Sequence, residues 1–439
     1  MKGFNFKGSL PWFWIPSLYL AEGLPYFAVN TLTVLMYVKL GLGMAEMAFY
    51  TGWLYLPWVI KPFWSPFIDL FGTKRNWILW MQLLIGLCLA GVAGFLGVSH
   101  FLTFTLICFW LMAFFSATHD VAADGFYILA LSSHQQASFV GIRSTFYRVA
   151  SIIGQGLIVM MAGYYENKTG NIARSWQYVF GALSIFFLFI SLYHLFYLPM
   201  TDKDVPAEKT TALKTIKDFF STFSSFFSKP NIVSALAFML LYRLPEALCI
   251  KIVQPFLVAP FAEGGLELST AQVGFVNGTV GVVALLLGGI AGGISISRFG
   301  LGRMLWPMAL SLTLPCCFYL LLAIFQPHGL SLISMAIFIE QFGYGFGFSA
   351  YMLYLLFFSR GEKSTSHYAF CTAFMALGMM IPGMFAGWFF EVLAEFSIID
   401  AGTPAFINFF ALVMISCLVT FIACKFLHID PNFGKKENQ

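Results

Sequence analysis

The sequence predicts an all-α integral membrane protein with twelve transmembrane helices in two six-helix pseudo-repeats. First, 59% of its 439 residues are hydrophobic and only 10% are charged, whereas soluble globular chains are about 45–50% apolar and about 25% charged. Second, the apolar residues form runs that reach the roughly 20 residues needed to cross a bilayer. Third, landmarks of the first half recur in the second half. A soluble enzyme is therefore excluded.

Apolar runs between polar or Gly/Pro breaks define the expected spans. In the first half they cover residues 12–36, 47–67, 77–98, 101–131, 139–164 and 176–199. In the second half they cover residues 231–260, 271–297, 304–325, 329–358, 367–394 and 404–427. The longest polar stretch separates the two sets. The expected domains are an N-terminal bundle (1–200), a cytoplasmic linker (201–229), a C-terminal bundle (230–428) and a cytoplasmic tail (429–439).

The distribution of lysine and arginine predicts the orientation, because cytoplasmic loops carry the excess of positive charge. If the termini, the linker and the loops after even-numbered spans are cytoplasmic, that side carries sixteen basic residues. The opposite loops carry three, Lys39, Lys168 and Arg174. We therefore expect both termini in the cytoplasm. The first apolar run is too long for a signal-peptide core, so the first span is expected to be retained.

The loops after spans 2 and 8 resemble each other. A Phe-Gly pair and a following arginine coincide at an offset of 228 residues. The residues of interest in the two loops are Asp69, Gly72, Lys74, Arg75, Arg298, Gly300 and Arg303. Two matching six-helix halves are typical of gradient-driven transporters. The loops are therefore candidates for gating.

Ionisable side chains inside the spans are costly in a bilayer, so each is a candidate functional residue. Most lie on spans 1, 4, 7 and 10, a period expected where the first helix of each three-helix repeat lines a cavity. They are Glu22, Asp120, Asp124, Arg243, Glu246, Lys251 and Glu340, with Arg143 and Arg148 on span 5. The proton-coupling candidates are Glu22, Asp120, Asp124 and Glu340.

Spans 4 and 5 form an antiparallel hairpin, which places Asp124 level with Arg143 and Asp120 level with Arg148. Two interpretations stay open: ion pairs that fasten the hairpin, or an aspartate that exchanges its arginine for a proton during transport. Asp124–Arg143 is favoured as the structural pair. Lys61, near the end of span 2, is expected to extend its amine out of the bilayer.

Span 7 carries an arginine and a lysine that suit an anionic substrate. Arg243 and Glu246 are three residues apart, so a self-neutralising pair is the alternative. The substrate-binding candidates on these grounds are Arg148, Arg243, Glu246, Lys251 and Gln341. No dense basic cluster indicates a nucleic-acid partner. We expect a monomer in the lipid bilayer.

A membrane-embedded acyltransferase is the alternative from another class, because His119 and Asp124 have the H-x4-D spacing of some acyltransferases. The two residues are five apart inside an apolar span and thus on different faces of a helix. The chain contains no G-x-S-x-G, H-E-x-x-H or P-loop. We expect no catalytic residue, no metal and no cofactor.

Two motifs carry a resemblance to a known family. The loop from Asp69 to Arg75 resembles the cytoplasmic signature between helices 2 and 3 of the major facilitator superfamily. The stretch S-A-T-H-D-V-A-A-D-G-F-Y, residues 116–127, resembles the A-T-Q-D-I-A-x-D-x-Y stretch of AmpG-type muropeptide permeases and related acetyl-CoA transporters. Gly23-Leu-Pro25, the K-P-F-W-S-P run from Lys61 and Arg143 support it. His119 stands where that family usually has glutamine.

The resemblance implies the major facilitator fold and a proton-driven symporter that imports anhydromuropeptides across the bacterial inner membrane by alternating access. These are N-acetylglucosaminyl-anhydro-N-acetylmuramic acid with or without peptide. Their carboxylate would suit Arg243 or Lys251, and Tyr26 and Tyr344 would stack on the sugar rings. The partners would be this substrate and protons. Another anionic solute, a siderophore or acetyl-CoA, is the alternative.

Overall fold

The computed structural model describes residues 11–202, 204–205, 221, 223–360, 364–396, 404–430 and 433. Throughout this part of the chain the regular structure is helical, with no strand. The expected linker (201–229) and tail (429–439) lie largely outside the described residues. Large apolar side chains cover the outer faces of the helices; on one of them Ile185 and Phe189 are 70% and 63% exposed. Such faces suit contact with lipid.

The first half of the chain forms nine α-helices in the described residues. They are α1 (Pro11–Phe27), α2 (Thr33–Lys39), α3 (Met44–Trp53), α4 (Leu56–Leu70), α5 (Lys74–Phe95), α6 (Phe101–Ala130), α7 (Ser133–Ile152), α8 (Ile158–Thr169) and α9 (Ile172–Tyr197). π-Helical turns join α1 to α2 at Ala28–Leu32 and α7 to α8 at Ile153–Leu157. These turns let a long span change direction without losing its backbone hydrogen bonds.

The second half continues the same pattern. Its helices are α10 (Ile232–Leu241), α11 (Leu244–Val258), α12 (Thr270–Val273), α13 (Val282–Phe299), α14 (Leu301–Thr313), α15 (Cys317–Phe325), α16 (Leu330–Ser359), α17 (Ser364–Glu395) and α18 (Ala405–Lys425). A π-helical stretch, Gly274–Gly281, joins α12 to α13.

Each expected span coincides with one of these helices or with a joined pair, and the ends differ by a few residues. Ten helices of the described chain are long and apolar enough to cross a membrane. The first two expected spans appear as α1–α2 and α3–α4. The all-α membrane fold class is confirmed, and the helices are consistent with the twelve expected spans.

Expected span 7 is broken in its middle. Helix α10 ends at Leu241, a turn contains Tyr242 and Arg243, and α11 begins at Leu244. Pro245 lies in the first turn of α11, where its missing N–H removes no helical hydrogen bond. The break therefore places Arg243 at the positive end of a half-helix inside the expected membrane span.

The first compact unit consists of described residues within Met1–Met36 and Ile60–Asp218. In this unit α5 packs against both α6 and α9, and α1 packs against α6 and α7. One part of its core is a cluster that includes Trp14 and Leu18 of α1 and Phe126 of α6. Helices α1 and α6, which carry three of the expected ionisable residues, are thus neighbours.

The second compact unit consists of described residues within Tyr37–Val59 and Phe219–Gln439. In this unit α13 packs closely against α16, where a Cβ on Gly288 would lie 2.1 Å from the carbonyl oxygen of Phe342. Helix α3 belongs to this unit because it packs on α17. There a Cβ on Gly387 would lie 2.0 Å from the carbonyl oxygen of Met44. Glycine is required for both approaches.

The two matching loops share a backbone conformation. Gly72 has φ +101° and Gly300 has φ +83°, a region that side-chain-bearing residues rarely adopt. Gly72 precedes α5 and Gly300 separates α13 from α14. The Phe-Gly pair recognised in the sequence therefore marks a glycine with positive φ in both halves.

Candidate functional site

Three carboxylates and two cations lie together inside the first unit. We call this group the carboxylate cluster: Glu22 of α1, Asp120 and Asp124 of α6, Lys61 of α4 and Arg143 of α7. Asp120 forms an ion pair with Lys61. The Oδ1 atom of Asp124 lies 2.6 Å from the Nη2 atom of Arg143. Four helices thus contribute to one group of charges.

The partner of Asp120 differs from the expectation. Arg148, expected level with Asp120, is exposed and forms no ion pair with any described residue. Lys61 takes its place, and so the predictions for the Asp120–Arg148 pair and for an outward-reaching Lys61 are wrong. A carboxylate inside an apolar bundle is stabilised only by a cation that can reach it, and α4 delivers one. The sequence marked Lys61 by its position within an apolar run and by the K-P-F-W-S-P motif, but neither signal indicated its partner.

The Asp124–Arg143 pair is present in the structure and has an aromatic neighbour. The Tyr19 hydroxyl donates to Asp124 Oδ1 at 3.3 Å, and the Arg143 guanidinium lies 4.5 Å from the centre of the Tyr19 ring. The side chains of Asp124 and Arg143 are 42% and 30% exposed. Tyr19 was not foreseen, because a tyrosine in an apolar run gives no sign of a polar contact.

Glu22 is the third carboxylate, and it lacks a cation of its own. It is 7% exposed, and its Oε2 atom has no hydrogen-bond partner among the described residues. Its charged neighbours are Asp120, Asp124 and Arg143. The cluster therefore contains three acidic groups and two cations that are each already paired with an aspartate.

His119 and Asp124 do not form a catalytic dyad. His119 is 1% exposed, and its Nε2 atom lies 2.9 Å from Nε2 of Gln82. The Oε1 atom of Gln82 lies 2.9 Å from Nδ1 of His194, whose Nε2 atom lies 2.9 Å from the Ser17 hydroxyl. This buried chain of hydrogen bonds connects α6, α5, α9 and α1. His119 thus contributes to helix packing, while Asp124 contacts Arg143.

Arg243 of the second unit is already neutralised at the helix break. Its Nε and Nη2 atoms donate to both carboxylate oxygens of Glu246, at 2.9 and 3.1 Å. Nη2 also donates to the Tyr344 hydroxyl at 2.5 Å, and the guanidinium lies 4.7 Å from the Phe348 ring centre. Of the two interpretations of Arg243 and Glu246, the structure shows the ion pair. The hydroxyl of Tyr344 accepts a hydrogen bond from the same arginine.

Lys251 differs from Arg243 in having no counter-charge. It lies two turns further along α11, is 5% exposed, and forms no ion pair with any described residue. Gln254, one turn on, is 6% exposed, and its Oε1 atom has no hydrogen-bond partner in the described chain. The stem of Lys251 packs beside Gly383 of α17, where a Cβ would lie 3.7 Å from Lys251 Cγ, an ordinary van der Waals contact. Gln254 was missed, because an uncharged amide carries little signal in a sequence.

Glu340 of α16 is held by hydrogen bonds. The Tyr319 hydroxyl donates to its Oε2 atom at 2.7 Å, and Gln341 Nε2 donates to the same atom at 2.9 Å.

Tyr26 of the first unit is half-buried, with its ring centre 5.3 Å from that of Phe27. Across the described residues, no group of three or more His, Cys, Asp and Glu side chains could bind a metal ion.

The loop after expected span 2, a candidate for gating, is fastened by Asp204, a residue that the sequence did not single out. Its carboxylate accepts from the backbone N–H groups of Lys74 and Arg75, at 2.7 and 2.9 Å, and so caps α5. The Arg75 guanidinium donates to the carbonyl oxygens of Leu198 and Leu195 at the end of α9. The side chain of Asp69 lies outside the described residues.

The loop after expected span 8, the other candidate for gating, is held by different contacts: the N–H of Leu301 donates to the carbonyl oxygen of Phe433 at 2.8 Å. Arg298 and Arg303 are exposed and form no ion pair within the part of the chain that the structure describes. The matching loops therefore share the glycine turn but differ in the contacts that surround it.

The chain belongs to the Major Facilitator Superfamily, whose family model matches residues 15–381. It is 26% identical over 385 residues to the anhydromuropeptide permease of Escherichia coli (strain K12), covering 86% of this chain and 73% of that protein. These similarities identify a membrane transporter and not an enzyme, so the acyltransferase hypothesis is wrong.

Solved structures agree on the fold. A bacterial homologue of the human lysosomal transporter Spinster, in an inward-facing unoccupied conformation, superposes with a TM-score of 0.70 at 16% identity, covering 95% of this chain and 97% of that one. A D-xylose–proton symporter gives a TM-score of 0.65 at 15% identity, covering 96% and 97%. At these identities the likeness shows the fold alone.

Proposed function

We propose that this secondary transporter of the Major Facilitator Superfamily imports anhydromuropeptides across the bacterial inner membrane and is driven by protons. Its termini face the cytoplasm, and the two bundles, residues 1–200 and 230–428, rock to give alternating access to a midplane site. The observation that carries the substrate assignment is the similarity to the anhydromuropeptide permease of E. coli over 86% of the chain.

The unpaired Lys251 supports an anionic substrate. A buried ammonium without a counter-ion is costly in a low-dielectric interior, and a substrate carboxylate would remove that cost on binding. Gln254, with an unsatisfied carbonyl oxygen on the same helix, would accept a hydrogen bond from an amide or hydroxyl of the same substrate. Arg243 is a poorer candidate, because a substrate would have to compete with Glu246 and Tyr344 for it.

The carboxylate cluster supports coupling to protons. With three acidic groups and two paired cations, the ionised cluster carries one uncompensated negative charge. A proton on Glu22 balances the cluster and leaves both ion pairs intact. When Glu22 releases this proton, its carboxylate competes with Asp120 and Asp124 for their cations, which loosens the contacts among α1, α4, α6 and α7. Protonation thereby changes the packing of the first unit.

Uptake into proteoliposomes tests the proposal directly. Radiolabelled anhydromuropeptide is added with and without an imposed inward proton gradient, and a siderophore and acetyl-CoA are run in parallel. Gradient-stimulated uptake of the sugar, reduced by unlabelled disaccharide, is the expected result. If folded and correctly oriented protein takes up a parallel ligand and not the sugar, the substrate assignment is wrong. Equal uptake with and without the gradient would refute proton coupling.

A further inference from the structure

The second unit contains a cavity of about 310 Å³ away from the residues considered above. It lies where α10 begins and where α16 and α18 end. Its polar lining consists of Lys229, Asn231, Ser234, Tyr354, Arg360 and His428. Under the proposed orientation these helix ends are cytoplasmic. The volume is at the lower end for a small-molecule site, about 300–1,000 Å³, and suits a single small group.

The charge of this cavity is positive. None of the residues that line it is acidic. The Lys229 amine is positioned by donating to the carbonyl oxygens of Phe358 and Arg360, at 2.6 and 2.8 Å. The Arg360 guanidinium lies 4.1 Å from the ring centre of Phe433, and neither cation forms an ion pair with any described residue. Two cations thus share a cavity in which no described lining residue supplies a counter-charge.

The start of α10 adds hydrogen-bond donors to the same cavity. Asn231, the residue before the helix, has a left-handed backbone with φ +60°, and its side chain does not cap the helix. The first N–H groups of an uncapped helix attract anions. The cavity wall at Pro230, Asn231 and Ser234 is this helix start. An anion in the cavity would therefore meet helix N–H groups as well as side-chain cations.

Tyr354 adds a hydroxyl group to the lining of the cavity. It is 3% exposed and lines the cavity, yet its hydroxyl makes no hydrogen bond with any residue that the structure describes. The hydroxyl can therefore donate to a group inside the cavity. A ligand with acceptor oxygens would supply such a group.

We propose that this cavity binds a phosphate group, and that an anionic phospholipid of the cytoplasmic leaflet supplies it. Phosphate oxygens accept from arginine, lysine, hydroxyl and helix N–H donors at the same time, which is the set of donors present here. Val233, 77% exposed beside the cavity, offers apolar surface to an acyl chain. Basic pockets at the cytoplasmic ends of membrane helices suit such head groups.

Native mass spectrometry of the delipidated, substrate-free protein tests this site without any transport assay. Phosphatidylglycerol and phosphatidylcholine are titrated separately, with inorganic phosphate as the soluble probe. Phosphatidylglycerol should bind to the unchanged protein, and Arg360→Gln should weaken it roughly 5-fold, as expected for one basic residue near a lipid head group. Tyr354→Phe should produce a smaller loss.

Arg298→Gln is the matched control, since Arg298 is an exposed arginine of the same unit that does not line the cavity. It should leave lipid binding unchanged. Equal losses in Arg298→Gln and Arg360→Gln would mean diffuse surface attraction and would overturn the site. Arg360-dependent binding of inorganic phosphate alone would keep the phosphate site but reject the lipid as its source. No dependence of either probe on Arg360 would refute the proposal. Because no substrate is present, these outcomes are independent of the proposed transport function.

Discussion

The carboxylate cluster of the first unit and the broken span of the second unit each leave one charged group without an oppositely charged partner among the described residues, but the two groups have opposite charges. In the first unit, Asp120 and Asp124 each have a cation, and Glu22 is the group left over. In the second, Arg243 has its carboxylate, and Lys251 is the group left over. One region therefore has an excess acid, which a proton can neutralise, and the other has an excess base, which an anionic substrate can neutralise. The contrast suggests that coupling and binding depend on different units.

Replacing the excess acid should have the largest effect. Glu22→Gln fixes the cluster in its balanced state, so gradient-driven accumulation should be abolished while exchange of substrate across the membrane continues. Uphill uptake and counterflow in proteoliposomes measure the two activities separately. Glu263→Gln, at an exposed loop acid of the second unit, should change neither. Uphill uptake by Glu22→Gln at the original rate would remove Glu22 from the coupling mechanism.

Breaking the neutralised pair should mainly affect stability. Arg243→Ala leaves Glu246 buried without its cation, which costs about 3–5 kcal/mol for a buried pair. The melting temperature of the detergent-purified protein should fall clearly. The double variant Arg243→Met/Glu246→Leu removes both charges and should recover most of the loss. If the single variant is as stable as the original protein, the pair does not stabilise the helix break.

Removing the excess base should weaken substrate binding while the fold is retained. Lys251→Gln removes the charged hydrogen bond that Lys251 is proposed to make with the substrate carboxylate. The KM for the anionic substrate should therefore rise roughly 10-fold or more. Lys251→Arg should keep much of the affinity, whereas the control Lys425→Gln, at an exposed lysine of the same unit, should keep all of it. A neutral substrate analogue without the carboxylate should not distinguish the variants. An unchanged KM would mean that the carboxylate binds elsewhere.

The smallest effect is expected at the two matching loops. Gly72→Ala and Gly300→Ala each place a Cβ on a backbone with positive φ, at a cost of about 1–2 kcal/mol. Thermal unfolding should show similar losses of stability at both positions, because both glycines have a positive φ. Gly94→Ala, at a helical glycine with open space around its Cβ, should cost nothing. A loss of stability at only one loop would show that the two glycine turns do not contribute equally to stability.

Sequence periodicity was sufficient for the fold because burial in a bilayer imposes a length and a composition on every helix. The expected spans coincide with helices, whereas the break of span 7 at Arg243 is seen only in the structure. The candidate site was foreseen less completely. Asp124 and Arg143 were paired correctly because they share one hairpin, in which depth follows from position along the chain.

The other contacts of the candidate site join helices that are far apart in the sequence, and no local sequence pattern predicts how such helices are placed. Lys61 reaches Asp120 from α4, Tyr19 reaches Asp124 from α1, and Asp204 caps α5 from 130 residues away. None of these pairs follows a helical or hairpin spacing. They depend on how the helices pack, which is decided by the sum of many apolar contacts.

By itself, the sequence determined that this chain crosses a membrane as two related six-helix halves, and which charges must be accounted for inside it. The physical reason is that an ionisable group in an apolar span is conspicuous in the chain. Only the tertiary structure decided which charges cancel and which are left over. A charge is cancelled only if an opposite charge lies within a few ångströms of it. Asp120 and Arg243 have such a partner, whereas Glu22 and Lys251 have none among the described residues.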